Sequence, residues 1–211
     1  MAASISTVTV GMGPVGRDQV VAVARHDATV VLAPEALAAL AATRQRIEAL
    51  AASDKPVYGV STGFGALATR HIPTELRTDL QRSLIRSHAA GSGPEVEREV
   101  VRAMMLLRLS TLATGRTGVR PVVAQTYADL LNAGITPVVH EYGSLGCSGD
   151  LAPLAHCALA VMGEGFVRDA TGTHRPAADA LDAAHIAPVT LAEKEGLALI
   201  NGTDGMLGQL V

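Results

Sequence analysis

The sequence predicts a mainly α fold with a few short strands, and three observations carry that reading. Alanine, valine and leucine abound while Trp, Phe and Tyr make up 2% of the 211 residues, a composition that packs best as closely spaced helices. Apolar residues recur at helical spacing in several stretches bounded by proline or glycine. Runs rich in β-branched residues are short, as at 4–10 and 28–32.

Taken in order, residues 4–10 and 28–32 are expected as strands, with a turn at Gly11-Met12-Gly13-Pro14 and a short helix over 17–24. The run from Gly11 to Gly16 has the glycines of a dinucleotide loop, but Pro14 and the missing βαβ context make it a plain turn. Pro34 suits the first position of a helix that continues over 35–52, with Leu37, Leu40, Ile47 and Leu50 as its apolar positions. Residues 57–65 carry three glycines, which break regular structure and allow close backbone approach.

Leu76, Leu80 and Leu84 then mark a helix running to Ser87-His88, with Gly91-Ser92-Gly93-Pro94 as its stop. A further helix is expected directly after Pro94, with Glu95, Glu97 and Glu99 in its early turns and 100–112 buried. Helices over 122–131 and 151–162, a hairpin within 163–172 and a short helix over 177–184 follow. The last element, 193–211, reads as one apolar segment reaching Val211 without a polar tail, so the chain is expected to be the N-terminal portion of something longer, with 1–211 as one unit.

Composition also narrows the function. A net charge of −3 with scattered arginines argues against nucleic acid as a partner. Residues 1–10 lack a basic and apolar leader, and no uninterrupted apolar span reaches membrane length, so a soluble, cytoplasmic protein without a membrane partner is expected. Two cysteines, Cys147 and Cys157, do not make a disulfide framework. The two lysines, Lys55 and Lys194, lie in polar segments beside acidic residues, which weakens a pyridoxal-phosphate reading. The seven histidines are dispersed, without HExxH or CxxC spacing, so no metal is expected.

The densest chemistry lies in the run from Gly143 to Pro153, which contains Cys147-Ser148-Gly149-Asp150. If the Gly149 nitrogen attacks the Cys147 carbonyl carbon, a five-membered ring closes, and loss of the Ser148 hydroxyl leaves a conjugated exocyclic methylene. Glycine is needed at 149 because the attack requires a compressed backbone in which a Cβ would clash. Asp150 stands where its carboxylate can cap the free amides of the following helix.

The segment from Gly143 to Ala155 resembles the signature of the aromatic amino acid ammonia-lyases, whose serine becomes part of a methylidene-imidazolone (MIO) group. Cys147 stands where most members have alanine, and its side chain lies outside the ring. The resemblance extends to Tyr58-Gly59-Val60, Thr62-Gly63-Phe64-Gly65, Ser87-His88 and Leu199-Ile200-Asn201-Gly202-Thr203, all in the family's order. It implies an L-aspartase-like helical fold, a homotetramer with active sites completed by neighbouring subunits, and a chain much longer than this one.

By the same resemblance, Cys147, Ser148 and Gly149 form the electrophile and Tyr58 takes the substrate's β-proton. A tyrosine does this near neutral pH only where positive potential favours its phenolate. His88 contacts the substrate side chain, and a Ser-His pair at this position is similar to the histidine-specific members, because an imidazole can donate to or accept from the substrate's own imidazole. Asn201 hydrogen-bonds the MIO carbonyl and helps bind substrate, whereas Asp204 stands where many relatives have glutamine. The implied reaction is removal of ammonia from L-histidine to give urocanate. The alternatives are a tyrosine or phenylalanine ammonia-lyase or an aminomutase and, outside enzymes, a catalytically incomplete association chain. His156 is the one other histidine that merits attention.

Overall fold

The structure is a computed structural model that describes residues 5–146 and 149–211. Strand β1 (Thr7–Val10) pairs in parallel with β2 (Thr29–Leu32), and α1 (Arg17–His26) forms the crossover between them. Both strands alternate exposed and buried residues, as one-sided strands must. Ser4, the expected first strand residue, lies outside the described residues.

Helix α2 (Pro34–Ala51) starts with proline at its first turn, where the missing N–H costs nothing. Of its four expected apolar positions only Leu40 is buried, and Leu50 is exposed. In α3 (Arg77–His88) the buried face is Arg77, Gln81, Leu84 and Ile85, so Leu76 precedes the helix and is exposed.

The expected helix start at Glu95 is a correction. Residues Ser92–Glu95 form β3, antiparallel to β5 (His140–Tyr142), and α4 (Arg98–Ala113) begins three residues later. Pro94 has no N–H to give the ladder, and the pairing is irregular between Ser92 and Glu95, as expected where proline enters a strand. Glu99 remains in the first turn of α4, where the helix dipole favours it.

Helix α4 is the central element, packed on α1, on α5 (Pro121–Asn132) and on the last helix of the chain. Its buried positions include two arginines, Arg102 and Arg108. Arg102 donates to Val23 O at 2.9 and 3.1 Å and to Leu131 O at 3.1 Å, so one guanidinium satisfies carbonyls near the C-terminal ends of α1 and α5. Burial pulls its pKa down to about 10, against the attraction of Asp27.

Beyond α5, β4 (Thr136–Pro137) joins β6 (Phe166–Arg168) and β7 (His174–Pro176) in a three-stranded antiparallel sheet. The hairpin therefore sits a few residues later than the sequence suggests. Helix α6 (Leu151–Val161) and α7 (Ala177–Ala183) fall where expected. The expected continuous element over 193–211 is instead two short helices, α8 (Glu195–Ile200) and α9 (Asp204–Leu210), broken at Asn201-Gly202-Thr203. Among the described residues no helix is long and apolar enough to cross a membrane.

Candidate active site

The signature turn connects β5 to α6. Leu145 N donates to Gly149 O at 3.1 Å and Gly149 N donates to Gly146 O at 2.7 Å, which brings Gly149 back against residues 145 and 146. A Cβ on residue 149 would lie 2.6 Å from the backbone oxygen of Gly146, closer than real Cβ atoms approach, and a tight 3.0 Å from Leu145 Cβ, so the turn calls for glycine. Cys147 and Ser148 themselves lie outside the described residues. The close approach of Gly149 to residues 145 and 146 suits the ring closure by which an MIO group forms, and on that observation the described residues fit such a group.

Asp150 acts differently from its expected role. Its carboxylate is fully buried and makes no cap bond to α6. Oδ1 accepts from the Ser144 hydroxyl at 2.5 Å and Oδ2 accepts from Met206 N at 3.0 Å, in the first turn of α9. The acid therefore caps a neighbouring helix and ties the signature turn to it, with its charge at the positive end of the α9 dipole.

Asn201 sits in that break with extended backbone, φ −93° and ψ 97°. The break is held from α4. Arg108 Nη1 donates to Ala198 O and Asn201 O, both at 3.2 Å, and Nη2 pairs with the Asp204 carboxylate. A Cβ on Gly202 would overlap the Arg108 guanidinium, so glycine is required beside Asn201. Asp204 is thereby placed in a buried ion pair. Cys157 is a buried thiol whose pKa is pushed up, chiefly by burial, so it is protonated and inert.

His88 ends α3. Its Nδ1 lies 2.8 Å from Leu84 O, an atom that can only accept, so Nδ1 carries a proton and Nε2 is the ring nitrogen left free of that bond. Ser87 Oγ donates to the same carbonyl at 2.9 Å and lies 3.0 Å from His88 Nδ1. The chain leaving His88 is pinned by His156 of α6, whose Nε2 accepts from Gly91 N at 3.1 Å. Burial, then the neighbouring His140, lowers the pKa of His156, which stays neutral as that acceptor role demands. The pairing of β3 with β5 brings this segment alongside the signature turn, and a Cβ on Gly143 would lie 3.3 Å from Gly91 Cα.

Tyr58 lies in a tight turn in which Val60 N and Ser61 N both donate to Val57 O. Its ring is 50% exposed and meets Phe64 edge-on, with centroids 5.8 Å apart. The backbone of this loop lies against α8, since a Cβ on Gly59 would come within 3.1 Å of Leu197 Cδ2. Helix α3 reaches α8 as well, with Gln81 Oε1 accepting from Gly196 N at 2.9 Å.

The elements carrying Tyr58, His88, Asn201 and Gly149 are thus packed together. Among the described residues no hydrogen bond joins Tyr58, His88 and Asn201 to one another, and no cation bonds the Tyr58 hydroxyl. No group of three or more His, Cys, Asp or Glu side chains able to hold a metal ion occurs among them either. Sequence reasoning missed Arg108, and the signal was present: a charge inside the apolar run from Met104 to Leu112 demands a buried partner.

The helical scaffold with its tight glycine turn at the head of α6 matches the family described as aromatic amino acid lyase over residues 15–211. The chain belongs to the aromatic amino acid lyase family. It is 69% identical over 205 residues to a histidine ammonia-lyase of Streptomyces griseus, covering 97% of this chain and 40% of that protein. A tyrosine ammonia-lyase of Cupriavidus metallidurans is 48% identical over 191 residues, 90% of this chain and 36% of the relative. Among solved structures, tyrosine aminomutase from Streptomyces globisporus superposes with a TM-score of 0.89 at 41% identity, over 96% of this chain and 38% of its own. The fold is that of these helical lyases, and the chain spans about two fifths of the length of the curated relatives it matches.

Proposed function

We propose that this chain is the N-terminal part of a histidine ammonia-lyase, which eliminates ammonia from L-histidine to give urocanate in histidine catabolism. The observation that carries the proposal is the turn at Gly149, where the backbone comes back against residues 145 and 146 and a Cβ would clash. Identity of 69% to a histidine ammonia-lyase across 97% of the chain supports the choice of substrate. In this reading the Gly149 nitrogen adds to the Cys147 carbonyl carbon, the carbonyl oxygen leaves as one water and the Ser148 hydroxyl as another. The MIO group so formed supplies an electrophilic carbon that makes the substrate amine a competent leaving group.

The remaining work falls to side chains. Tyr58 takes the β-proton as the carbon–nitrogen bond breaks and the carbon–carbon double bond forms, releasing ammonia. His88, with Nδ1 committed to Leu84 O, offers Nε2 to the N–H of the substrate imidazole, a hydrogen bond that a phenyl or phenol side chain cannot return in the same place. Asn201 contributes an amide to substrate and to the MIO carbonyl. Leu145 is 81% exposed and Tyr142 64% exposed beside the turn, which supports walls supplied by further chain and by neighbouring subunits of a homotetramer. The buried free thiol of Cys157 suits a reducing cytoplasm. This stretch by itself is proposed to be catalytically incomplete, and robust turnover by residues 1–211 alone would refute that part.

Replacing Ser148 in the full-length protein tests the proposal. Ser148→Ala is expected to retain the mass of both waters in the peptide bearing residues 147 to 149 and to lose at least about 10³-fold in urocanate formation. An unmodified mass in the folded, unaltered protein would sink the mechanism. Coumarate, cinnamate or a β-amino acid in place of urocanate would move the assignment to a tyrosine or phenylalanine ammonia-lyase or an aminomutase, the reading that 48% identity to a tyrosine ammonia-lyase keeps in view.

A further inference from the structure

Arg108 is almost wholly buried in the middle of α4, and its hydrogen bonds end on the last turn of α8, on Asn201 in the break and on Asp204 at the start of α9, with Nε alone unpartnered. Two go to the carbonyls of Ala198 and Asn201, and the third group pairs with Asp204. The Asn201 side chain makes no hydrogen bond among the described residues, so nothing but its backbone directs it. That backbone is held extended between two helices, with Gly202 tucked against the guanidinium where no Cβ would fit. On the far side of the break, Met206 N donates to Asp150, which in turn accepts from Ser144 in the signature turn. One buried arginine therefore sets the frame from which the Asn201 amide projects, and that frame is tied to the turn at Gly149.

We propose that Arg108 is a positioning residue for Asn201, acting on substrate only through that amide. The inference rests on the role given to Asn201 above. A buried arginine placed purely for packing is a poor bargain against an apolar side chain of similar size. Lysine cannot replace it, because an ammonium on a flexible stem does not span two carbonyls and a carboxylate as the planar fork does. Arg102 supplies the contrast within the same helix: it satisfies carbonyls of α1 and α5, away from the residues assigned to the site.

The test is a double-mutant cycle on kcat/KM for L-histidine in the full-length protein, using Arg108→Lys, Asn201→Ala and the pair. Arg108→Lys is expected to lower kcat/KM by about tenfold or more, and by less than about threefold once residue 201 is alanine, because a positioning residue has nothing left to position. The same factor in both backgrounds marks a purely structural residue and overturns the proposal, as does a loss below about twofold in Arg108→Lys alone. If Arg108→Lys fails to fold, Asp204→Asn, which keeps an acceptor and removes the charge, enters the same cycle with the same criteria. Full activity in Asn201→Ala would overturn instead the role of Asn201 on which the inference depends.

Discussion

Asn201 and Tyr58 belong to the same proposed site but are held in opposite ways. Asn201 stands in a break clamped from below by a buried ion pair and capped by a buried aspartate. Tyr58 stands in a loop that closes on its own backbone, half exposed, with a single aromatic contact. His88 is intermediate, on a helix end whose exit is pinned by one neutral histidine. The difference teaches which parts are fixed by contacts between distant elements of this stretch: the turn at Gly149 and the backbone at Asn201 are held in that way, while the Tyr58 ring is left half exposed.

The sharpest way to break the comparison is to remove the clamp. Arg108→Met leaves Asp204 buried without its partner and is expected to cost about 3–5 kcal/mol of folding stability, read from urea unfolding. A loss below about 1 kcal/mol would mean that the break is held by packing and not by the ion pair. On the loop side the effect should appear in chemistry and not in folding. Tyr58→Phe is expected to lower kcat by about 10²–10⁴-fold with an unchanged melting temperature, and a kcat within tenfold of the parent would remove Tyr58 as the base.

Two smaller effects refine the picture. Gly202→Ala forces a methyl into the space of the buried guanidinium and should cost about 1–3 kcal/mol, since overpacking at a rigid neighbour is felt in full. His156 gives a pH signature. Its folded pKa lies below 6.5, so the unfolded chain takes up a proton first as the pH falls through about 6.5, and folding stability drops from there until the folded pKa is reached. Above that window the contribution is fully present. His156→Gln keeps an acceptor for Gly91 N and should flatten the stability difference between pH 7.5 and 5.5; an unchanged slope would assign the effect to another group.

Much of this architecture is legible in the residues themselves. Pro34 at the first turn of α2, the apolar period of α5 and α6, and the alternation of β1 and β2 are local patterns, and each element lies within a few residues of its expected place. The requirement for glycine at 149 is local too, because the atoms it would strike belong to residues 145 and 146. Three features are not legible in this way. The strand at Ser92–Glu95 exists because a partner arrives from 140–142, the break at 201–203 because Arg108 reaches it from α4, and the cap on α9 because Asp150 faces away from its own helix.

By itself the sequence determined most of the helices, the turns and the place of glycine at 149, since periodicity, proline and glycine act over a few residues. Only the tertiary structure decided which carboxylate caps which helix, which arginine frames Asn201 and which histidine pins the exit from His88. Those pairings depend on groups distant along the chain meeting in a desolvated interior, where an unpartnered charge or amide is too costly to persist.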